Sequence, residues 1–443
     1  MANSNFQHFT SILLILFFIS PTFSQQSFRP KALVLHVTKD GETTLQYTAQ
    51  INQRTPLVPI NLVVDLGGQF LWVDCENQYT SSTYRPARCR SAQCSLAKSN
   101  SCGDCFSSPK PGCNNNTCGL LPDNTVTHTA TSGELAEDVL SIQSTNGFNP
   151  GQTVAISRFS FSCAPTSLLK GLASGASGMA GLGRTKIALP SQLASAFSFD
   201  RKFAFCFSSS DGVVIFGDAP YGFAANVRSA PNVVYDSKSL IYTPLLVNPV
   251  STASAFSQGE SSSEYFIGVK TIKIDSKVVS LNTSLLSIDS NGVGGTKIST
   301  VDPYTVLEAS IYKAVTDAFA KASIARNITR VASFAPFEFC YSSDNLPATP
   351  LDAAVPTIEL VLQNENVVWR MLDANSMVFI NDEVLCLGFV NGGENPRTSI
   401  VIGGNQLEDN LLQFDLAANR LGFSNSLFAR KTDCFRFNFT STV

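Results

Sequence analysis

The chain of 443 residues contains a weak internal repeat, and this repeat restricts the fold more than any other feature of the sequence. In the first half, an apolar strand-like run ending at Asp65 is followed by Gly178–Gly181. In the second half, Ile298–Ser299 is followed by the similar run Ile400–Gly403. Similar elements in the same order predict two lobes of the same build. A chain of this length is also long enough for two domains.

Short strand-like runs separated by Gly, Asn, Ser and Pro cover most of the sequence and predict an all-β-dominated chain. The run Leu33–Val37, an Asp40-Gly41 turn and alternating apolar positions from Leu45 to Ile51 indicate a hairpin. Few helices are expected. The best candidate spans Pro303–Ile324, with one apolar face and a proline near its first turn, and a shorter helix is expected to begin at Pro190.

Two segments lack clear periodicity and are expected to be irregular. Residues 221–239 are the candidate connection between the lobes, and Ser251–Ser263 is predicted to be an exposed loop of the second lobe. We therefore expect a signal peptide over residues 1–24, a first lobe with a cysteine-rich insert over 25–222, and a second lobe over 223–443.

The beginning of the chain predicts export. A polar start, the apolar run Ile12–Ile19 and the small-residue zone Pro21–Ser24 are typical of a secretory signal. The apolar run is too short to span a bilayer, and no later run of about 18 apolar residues occurs, so no membrane segment is expected. Four Asn-x-Ser/Thr sequons add support for an extracellular glycoprotein. These candidate glycosylation sites are Asn115, Asn282, Asn327 and Asn438.

The number of cysteines is even, which in an exported chain predicts disulfide bonds rather than a metal site. The twelve cysteines are Cys75, Cys89, Cys94, Cys102, Cys105, Cys113, Cys118, Cys163, Cys206, Cys340, Cys386 and Cys434. Seven of them lie between Cys75 and Cys118, in a segment with little apolar content. We expect this segment to be held covalently, although the sequence does not reveal which cysteines pair.

Charge and histidine content exclude several classes of function. A net charge of -3 and a pI of about 5.7 give no basic stripe for a nucleic acid. After the signal peptide only His36 and His128 remain, which is too few for a three-histidine zinc site and leaves few candidates for a general base. His36 is interpreted as structural and His128 as solvated. No metal and no cofactor are expected.

Several motifs resemble the plant branch of the pepsin-like proteins (peptidase A1 fold). They are Asp65-Leu66-Gly67 with Leu71-Trp72-Val73, Gly178–Arg184 with Leu189–Leu193, and Val401–Asn405 with Phe414-Asp415-Leu416. Lys297–Tyr304 and the cysteine cluster are similar to a secreted group within that branch. This group contains extracellular dermal glycoproteins, basic seven-S globulins, xylanase inhibitors and xyloglucan-specific endoglucanase inhibitors. The resemblance implies a bilobal pepsin-like fold with few short helices and an apoplastic or cell-wall location.

The resemblance also assigns the catalytic positions, and one of them has lost its acid. An aspartic peptidase needs two carboxylates that share a proton. Asp65 occupies the first position, but Gly294-Gly295-Thr296 sets a register in which Ser299 occupies the second. Asp302 lies three residues beyond, and on an extended strand it would point away from the site, about 10 Å off. We therefore expect no catalytic residues and only a remnant of the site.

Two neighbouring positions are altered as well. Leu66 stands where a Thr or Ser hydroxyl of the family links the two active-site loops, which predicts an incomplete hydrogen-bond network around Asp65. Counting back from Gly133, Thr125 falls at the position of the family's flap tyrosine. Three concurrent changes predict a proteolytically inactive chain.

In the inhibitor members of the group, the resemblance implies a protein target: microbial glycoside hydrolases that attack plant cell walls. The loop before the last cysteine enters the glycosidase in these relatives, and here it carries Phe428, Arg430 and Lys431. An aromatic anchor beside cations is typical of an interface hot spot, and a cation would bind the two catalytic carboxylates of a glycosidase. A second inhibitory loop corresponds to Asn345–Asp352, where Pro350 and Leu351 are expected on the cleft rim and no arginine is present.

We therefore predict a secreted, monomeric plant-defence protein that inhibits a microbial xyloglucan-specific endo-β-1,4-glucanase, with a xylanase as the other target considered. One alternative is a weak or atypical aspartic peptidase that uses Asp65 with Asp302 or a water. Another is a storage or peptide-binding glycoprotein.

Overall fold

The computed structural model describes residues 28–41, 43–226, 230–344, 346 and 354–440. The predicted signal peptide lies outside the described residues. Strands account for 40% of the structure and helices for 13%, which confirms the predicted all-β-dominated chain with few short helices. Within this part of the chain, no helix has the length and apolarity needed to cross a membrane.

The described residues form 32 strands. They are β1 (Ala32–Lys39), β2 (Tyr47–Gln53), β3 (Val58–Asp65), β4 (Trp72–Asp74), β5 (Arg85–Pro86), β6 (Cys102–Gly103), β7 (Thr117–Leu120), β8 (Asp123–Asn124), β9 (Thr129–Ala130), β10 (Gly133–Thr145), β11 (Pro150–Ala164), β12 (Ala176–Gly181), β13 (Lys202–Phe207), β14 (Asp211–Gly217), β15 (Tyr221–Phe223), β16 (Val233–Tyr235), β17 (Ile241–Leu246), β18 (Tyr265–Ile267), β19 (Val269–Ile274), β20 (Lys277–Val278), β21 (Thr296–Ile298), β22 (Thr305–Leu307), β23 (Arg330–Val331), β24 (Cys340–Ser342), β25 (Ile358–Leu362), β26 (Val368–Met371), β27 (Met377–Asn381), β28 (Val384–Leu387), β29 (Phe389–Asn391), β30 (Ile400–Ile402), β31 (Leu411–Asp415) and β32 (Arg420–Phe423).

The α-helices of the described residues are short, apart from one. They are α1 (Ala92–Leu96), α2 (Leu189–Phe197), α3 (Ala309–Ala325), α4 (Asp373–Ser376) and α5 (Gly404–Leu407). Helix α2 confirms the helix expected at Pro190. The longer prediction began too early: Thr305–Leu307 is strand β22, paired with β29 and β30, and α3 starts only at Ala309. The cap of α3 is Glu308, whose carboxylate accepts the N–H groups of Ser310 and Ile311.

The predicted hairpin is present. Strands β1 and β2 pair antiparallel, with Val37 opposite Ala49. The segment 221–239 is less irregular than expected, because β15 and β16 pair with each other across it. The expected lobe boundary at residue 222 falls inside β15, and the division of the chain there stays a prediction.

The largest sheet, of 20 strands, contains strands from both halves of the sequence. Strand β13 pairs with β14 on one side and with β31 on the other, with Phe203 opposite Phe414. These two rings stack at 5.0 Å between centroids and are fully buried. Burying such aromatic pairs contributes about 0.5–1.5 kcal/mol beyond their area, so this seam holds the two halves together.

The twelve cysteines form six disulfides. The pairs are Cys75–Cys163, Cys89–Cys102, Cys94–Cys118, Cys105–Cys113, Cys206–Cys434 and Cys340–Cys386. Six of the seven crowded cysteines pair among themselves, and Cys75 reaches Cys163 on β11. Cys206–Cys434 connects β13 with the C-terminal segment. Since a disulfide typically stabilises by about 2–4 kcal/mol, this network holds the cysteine-rich insert despite its few apolar residues.

Candidate functional site

The two halves present equivalent strand ends to the central cleft. Strand β3 ends at Asp65, which lies beside Gly181 of the parallel strand β12. In the second half, β21 runs parallel to β30, and the N–H of Ser299 then donates to the carbonyl of Ile402 at 2.9 Å. Parallel neighbours on buried strands place both ends at the same edge of a lobe. The internal repeat of the sequence is therefore a repeat of this local structure.

Asp65 is buried, with 3% of its surface exposed. Its Oδ1 accepts the N–H of Gly67 at 3.0 Å, and its Oδ2 accepts the hydroxyl of Thr125 at 2.9 Å. Burial raises the pKa of Asp65 to about 6; the two hydrogen bonds oppose this, and the carboxylates of Glu264 and Asp123 add to it. The remnant acid is thus held by a hydroxyl and a backbone N–H, and it ionises near pH 6.

Ser299 is also buried, but its hydroxyl turns toward its own loop. Its Oγ accepts the backbone N–H groups of Val301 at 3.3 Å and Asp302 at 3.2 Å. Asp302 is partly exposed. Among the described residues, no hydrogen bond joins either Ser299 or Asp302 to Asp65. Neither position therefore supplies an acid that shares a proton with Asp65. The other carboxylates that line the pocket, Glu264 and Asp123, are bonded to Lys297 and Ser254 instead.

One hydroxyl still links the two active-site loops. The Oγ1 of Thr300 donates to the carbonyl of Val64 at 2.7 Å and accepts the N–H of Leu66 at 3.0 Å. The side chain of Leu66 is fully buried in the main apolar cluster instead of making the reciprocal bond. The contact that a hydroxyl at position 66 would make is therefore absent, but the hydrogen bonds of Thr300 still join the two loops.

An ion pair from the second half packs directly against the Asp65 loop. The Nζ of Lys297 lies 2.7 Å from the Oε1 of Glu264, with 16% and 17% of the two side chains exposed. A Cβ on Gly67 would lie 2.6 Å from the Cγ of Glu264, so this close approach requires glycine. Burial alone would lower the pKa of Lys297, but the carboxylates of Glu264 and Asp302 outweigh it and raise that pKa.

The segment Ser251–Ser263 differs from the prediction of an exposed loop. Its middle is exposed, but Ser251 and Ser262 are buried. The N–H and hydroxyl of Ser254 both donate to the carboxylate of Asp123 at 2.8 Å, which joins this loop to the flap hairpin β8–β9. The two loops are held together because Ser254 supplies two hydrogen-bond donors and Asp123 supplies the carboxylate that accepts them.

The pocket beside Asp65 is consequently small. Only about 30 Å³ of free space remains between the Asp65 loop, the flap residue Thr125 and the loop residues Thr252 and Ala253. A water needs about 10–15 Å³ on this measure, so this pocket has room for a water or two. The pocket beside Asp65 is therefore small, and Ser299 does not contribute to its lining.

The loop predicted to enter a glycosidase, Ser424–Asp433, is called the docking loop here, and it does not line the pocket beside Asp65. Phe428 and Arg430 belong to the single 3-10 turn Leu427–Arg430, and Lys431 follows with a positive φ of 58°. The guanidinium of Arg430 donates to the carbonyl of Val234 at 3.3 Å and lies over the ring of Tyr235 at 4.5 Å. Arg430 and Lys431 are exposed and Phe428 is partly buried. In the described part of the chain, the Lys431 side chain has no hydrogen-bond or ion-pair partner, so it is the freer of the two cations.

The base of this loop is held by Asp409. Its Oδ1 accepts the N–H of Cys434 at 2.9 Å, and its carbonyl accepts the N–H of Leu427 at 2.8 Å. Burial raises the pKa of Asp409 to about 7, with a smaller contribution from the carboxylates of Glu408 and Asp433. No local sequence pattern indicates this role, because the contacts join Asp409 to Leu427 and Cys434, which are not its neighbours along the chain.

The other predicted sites are distributed over the surface. Pro350 and Leu351 lie outside the described residues. The four sequon asparagines are all exposed, as an acceptor must be: Asn115, Asn282, Asn327 and Asn438. His36 bonds to Asp211 at 2.9 Å, and His128 is exposed. No group of three or more His, Cys, Asp or Glu within the described ranges is arranged to hold a metal ion.

Comparison with known proteins gives consistent matches over most of the chain. A family described as "Xylanase inhibitor N-terminal" matches residues 47–218, and one described as "Xylanase inhibitor C-terminal" matches residues 264–425. A similar protein, described as probable aspartic proteinase GIP2 of Nicotiana benthamiana, is 63% identical over 100% of both chains. Basic 7S globulin of Glycine max is 41% identical over 92% of each chain.

Solved structures agree with these matches. The structure described as "Crystal structure of edgp" is 66% identical, covers 94% of this chain and 100% of its own, and superposes with a TM-score of 0.91. The soybean basic 7S globulin structure is 38% identical, covers 93% and 100% of the two chains, and has a TM-score of 0.76. The fold is therefore shared along nearly the whole described chain.

Proposed function

The chain belongs to the xylanase-inhibitor family of pepsin-like proteins, and from that premise we propose that it is a secreted inhibitor of microbial glycoside hydrolases in plant defence. The target we propose is a xyloglucan-specific endo-β-1,4-glucanase, with a xylanase as the second candidate. The proposed site of action is the apoplast or cell wall, and the proposed free state is a monomer.

One observation carries the proposal: Ser299 occupies the position of the second acid, its hydroxyl is bonded within its own loop, and the pocket beside Asp65 has only about 30 Å³ of space. A body of this size without a working centre is suited to binding. Exposed loops on a rigid scaffold are the usual place for such binding. The docking loop offers a cation on a short turn that is anchored by a disulfide and by Asp409.

The contacts of the docking loop support different roles for Arg430 and Lys431. The guanidinium of Arg430 is engaged with the segment Val233–Tyr235, so we assign it to holding the loop's shape. Lys431 projects without a partner among the described residues, and we assign it to the pair of carboxylates in the glycosidase cleft. Phe428, which is partly buried, is proposed as the aromatic anchor for the partner. Pro350 and Leu351 are proposed as further contacts on the cleft rim.

An inhibition titration tests the proposal. The purified protein is added to a xyloglucan-specific endoglucanase and, in parallel, to a xylanase, and hydrolysis of each polysaccharide is measured. We expect loss of xyloglucan hydrolysis at micromolar or lower protein concentration. Inhibition of the xylanase alone would support a glycoside-hydrolase inhibitor but would replace the endoglucanase by a xylanase as its target. No inhibition of either enzyme would contradict the proposal.

Variants of the docking loop make this test specific. Lys431→Ala is expected to weaken inhibition by roughly 30-fold, the size of a hot-spot loss of about 2 kcal/mol. Arg430→Ala is expected to weaken it less, and to lower the thermal stability of the loop. Lys277→Ala and Lys321→Ala remove exposed lysines outside this loop and serve as matched controls. Equal effects of all four changes would refute the assignment of Lys431.

Secretion and glycosylation are testable independently. We expect a plant-expressed protein to be recovered outside the cell and to lose mass on treatment with an N-glycosidase. Peptidase activity is measured at the same time, with an unfolded protein substrate near pH 4. Cleavage that pepstatin blocks and that Asp65→Ala abolishes would favour the weak-peptidase alternative.

A further inference from the structure

A second concave surface lies on the first lobe, away from Asp65. Three strands meet there in a triangle. Strand β1 pairs with β10 at Leu33 and Val34, and with β2 at Val37–Lys39. Strand β2 pairs with β10 again through Asn52 and Gln53. Between these three short ladders the strands diverge, and the sheet opens.

The opening lies between strands that are each paired on their other side. Leu35–His36 pair with β14, Gln50–Ile51 with β3 and Ile142 with β11. Within the described residues, they have no partner in the three ladders around the opening. All of them line a groove of about 510 Å³. This volume lies within the range of about 300–1,000 Å³ that is usual for sites of small ligands. It contrasts with the small pocket beside Asp65, which has about 30 Å³.

The chemistry of the groove is polar without charge. Four amide side chains line it, along with four hydroxyls: Gln50, Asn52, Asn61, Gln143, Thr38, Thr48, Ser141 and Thr153. No Asp, Glu, Lys or Arg belongs to its lining in the part of the chain that the structure describes. The titratable group of the lining is His36, whose Nε2 lies 2.9 Å from the carboxylate of Asp211. Any charge on this imidazole is thus matched by a neighbouring carboxylate.

Much of this hydrogen-bonding capacity is unused. The Nε2 of Gln50 donates to the Oδ1 of Asn61 at a long 3.5 Å, which leaves the Gln50 oxygen and the Asn61 amino group free. The side chains of Asn52, Gln143 and Thr153 make no hydrogen bond within the described residues. An amide offers both donors and acceptors, and a hydroxyl offers both on one atom. The groove therefore presents closely spaced donors and acceptors that the protein itself does not satisfy.

We propose that this groove binds a neutral oligosaccharide chain. The hydroxyl groups of a sugar donate and accept alternately, as the amides and hydroxyls of the groove do. An anionic polymer would select for Lys or Arg, which the lining lacks. An apolar ligand would leave these polar groups without partners once water is excluded. An uncharged chain rich in hydroxyl groups therefore matches this lining better than an anion or an apolar ligand does.

Two probes of equal length test the proposal directly: cellohexaose, which is neutral, and hexagalacturonate, which is anionic. Binding is measured by titration calorimetry or by NMR on the full-length protein. We expect cellohexaose to bind with a dissociation constant on the order of 1 mM and hexagalacturonate to bind at least tenfold more weakly. The double variant Gln50→Ala, Asn61→Ala is expected to weaken cellohexaose binding at least tenfold.

The control is Gln152→Ala. Gln152 is an exposed amide next to Thr153 on β11, but it does not line the groove, so its loss should leave binding unchanged. If the double variant fails to fold, Thr153→Arg serves instead, because a long side chain at this exposed edge fills the groove. Folding of every variant is checked by thermal unfolding.

The proposal is overturned if cellohexaose does not bind at 10-fold above the expected constant (about 10 mM), if hexagalacturonate binds as well or better, or if the groove variants bind normally. Tighter binding of a neutral Ser- and Gln-rich hexapeptide would also overturn it, in favour of a peptide site. The groove is separate from the docking loop, so the groove variants are expected to keep full inhibition of the endoglucanase. Failure of one proposal thus leaves the other standing.

Discussion

Asp409 makes a quantitative prediction about pH. Its pKa is raised to about 7, from 3.8 for a free carboxyl, chiefly by burial. The folded chain therefore holds a proton that the unfolded chain releases between about pH 4 and pH 7. The free energy of unfolding therefore falls as pH rises through that range, because deprotonation of Asp409 costs more in the folded chain than in the unfolded chain. At about 1.4 kcal/mol per pKa unit, the full loss above pH 7 is about 4 kcal/mol.

The variant Asp409→Asn removes this loss and keeps the contacts. An amide oxygen still accepts the N–H of Cys434, and asparagine tolerates the positive φ of 51° at this position. We expect a gain of about 4 kcal/mol in the free energy of unfolding at pH 8, and less than about 1 kcal/mol at pH 4. The difference between the two pH values is the signature of the mechanism.

Urea unfolding with the disulfides intact measures these gains. Both tryptophans, Trp72 and Trp369, are buried, so their fluorescence reports the loss of packing. Asp200 is exposed, and Asp200→Asn is the control, with an expected change below about 0.5 kcal/mol at either pH. An equal gain from Asp409→Asn at pH 4 and pH 8, or no gain at pH 8, would refute the reasoning.

Three further changes address the cleft. Asp65→Asn should stabilise by about 3 kcal/mol at pH 8 and little at pH 4, because burial raises the pKa of Asp65 from 3.8 to about 6; the same urea titration measures it, and a gain independent of pH would contradict it. Thr300→Val should destabilise by about 1–3 kcal/mol, since it leaves a buried N–H and a buried carbonyl without their partner; Thr300→Ser should restore most of the loss. Lys297→Met should destabilise the fold by about 3–5 kcal/mol at pH 7, because it leaves the Glu264 carboxylate buried without its cation. Adding Glu264→Gln should recover part of this loss in thermal unfolding. A double variant no more stable than Lys297→Met would contradict a stabilising role of the ion pair.

Much of the fold could be predicted because its signals are local. The hairpin β1–β2 follows from alternation around a turn, and α2 follows from a proline before an apolar face. The start of α3 was placed too early, because Thr305–Leu307 has partners in β29 and β30 that no local pattern reveals. Long-range pairing decided this boundary over helical periodicity.

The same distinction holds at the candidate site. The sequence by itself determined that the first catalytic position of the family carries Asp65 and that the second carries Ser299. Once the register of the motifs is known, the identity of each residue needs no coordinates. Only the tertiary structure decided that Thr125 and the loop from Ser251 to Ser263 line the pocket beside Asp65, and which cysteines pair. It also decided that Asp409 supports the docking loop. These contacts join residues that are distant along the chain, and their energies depend on burial and geometry that exist only after the lobes have folded together.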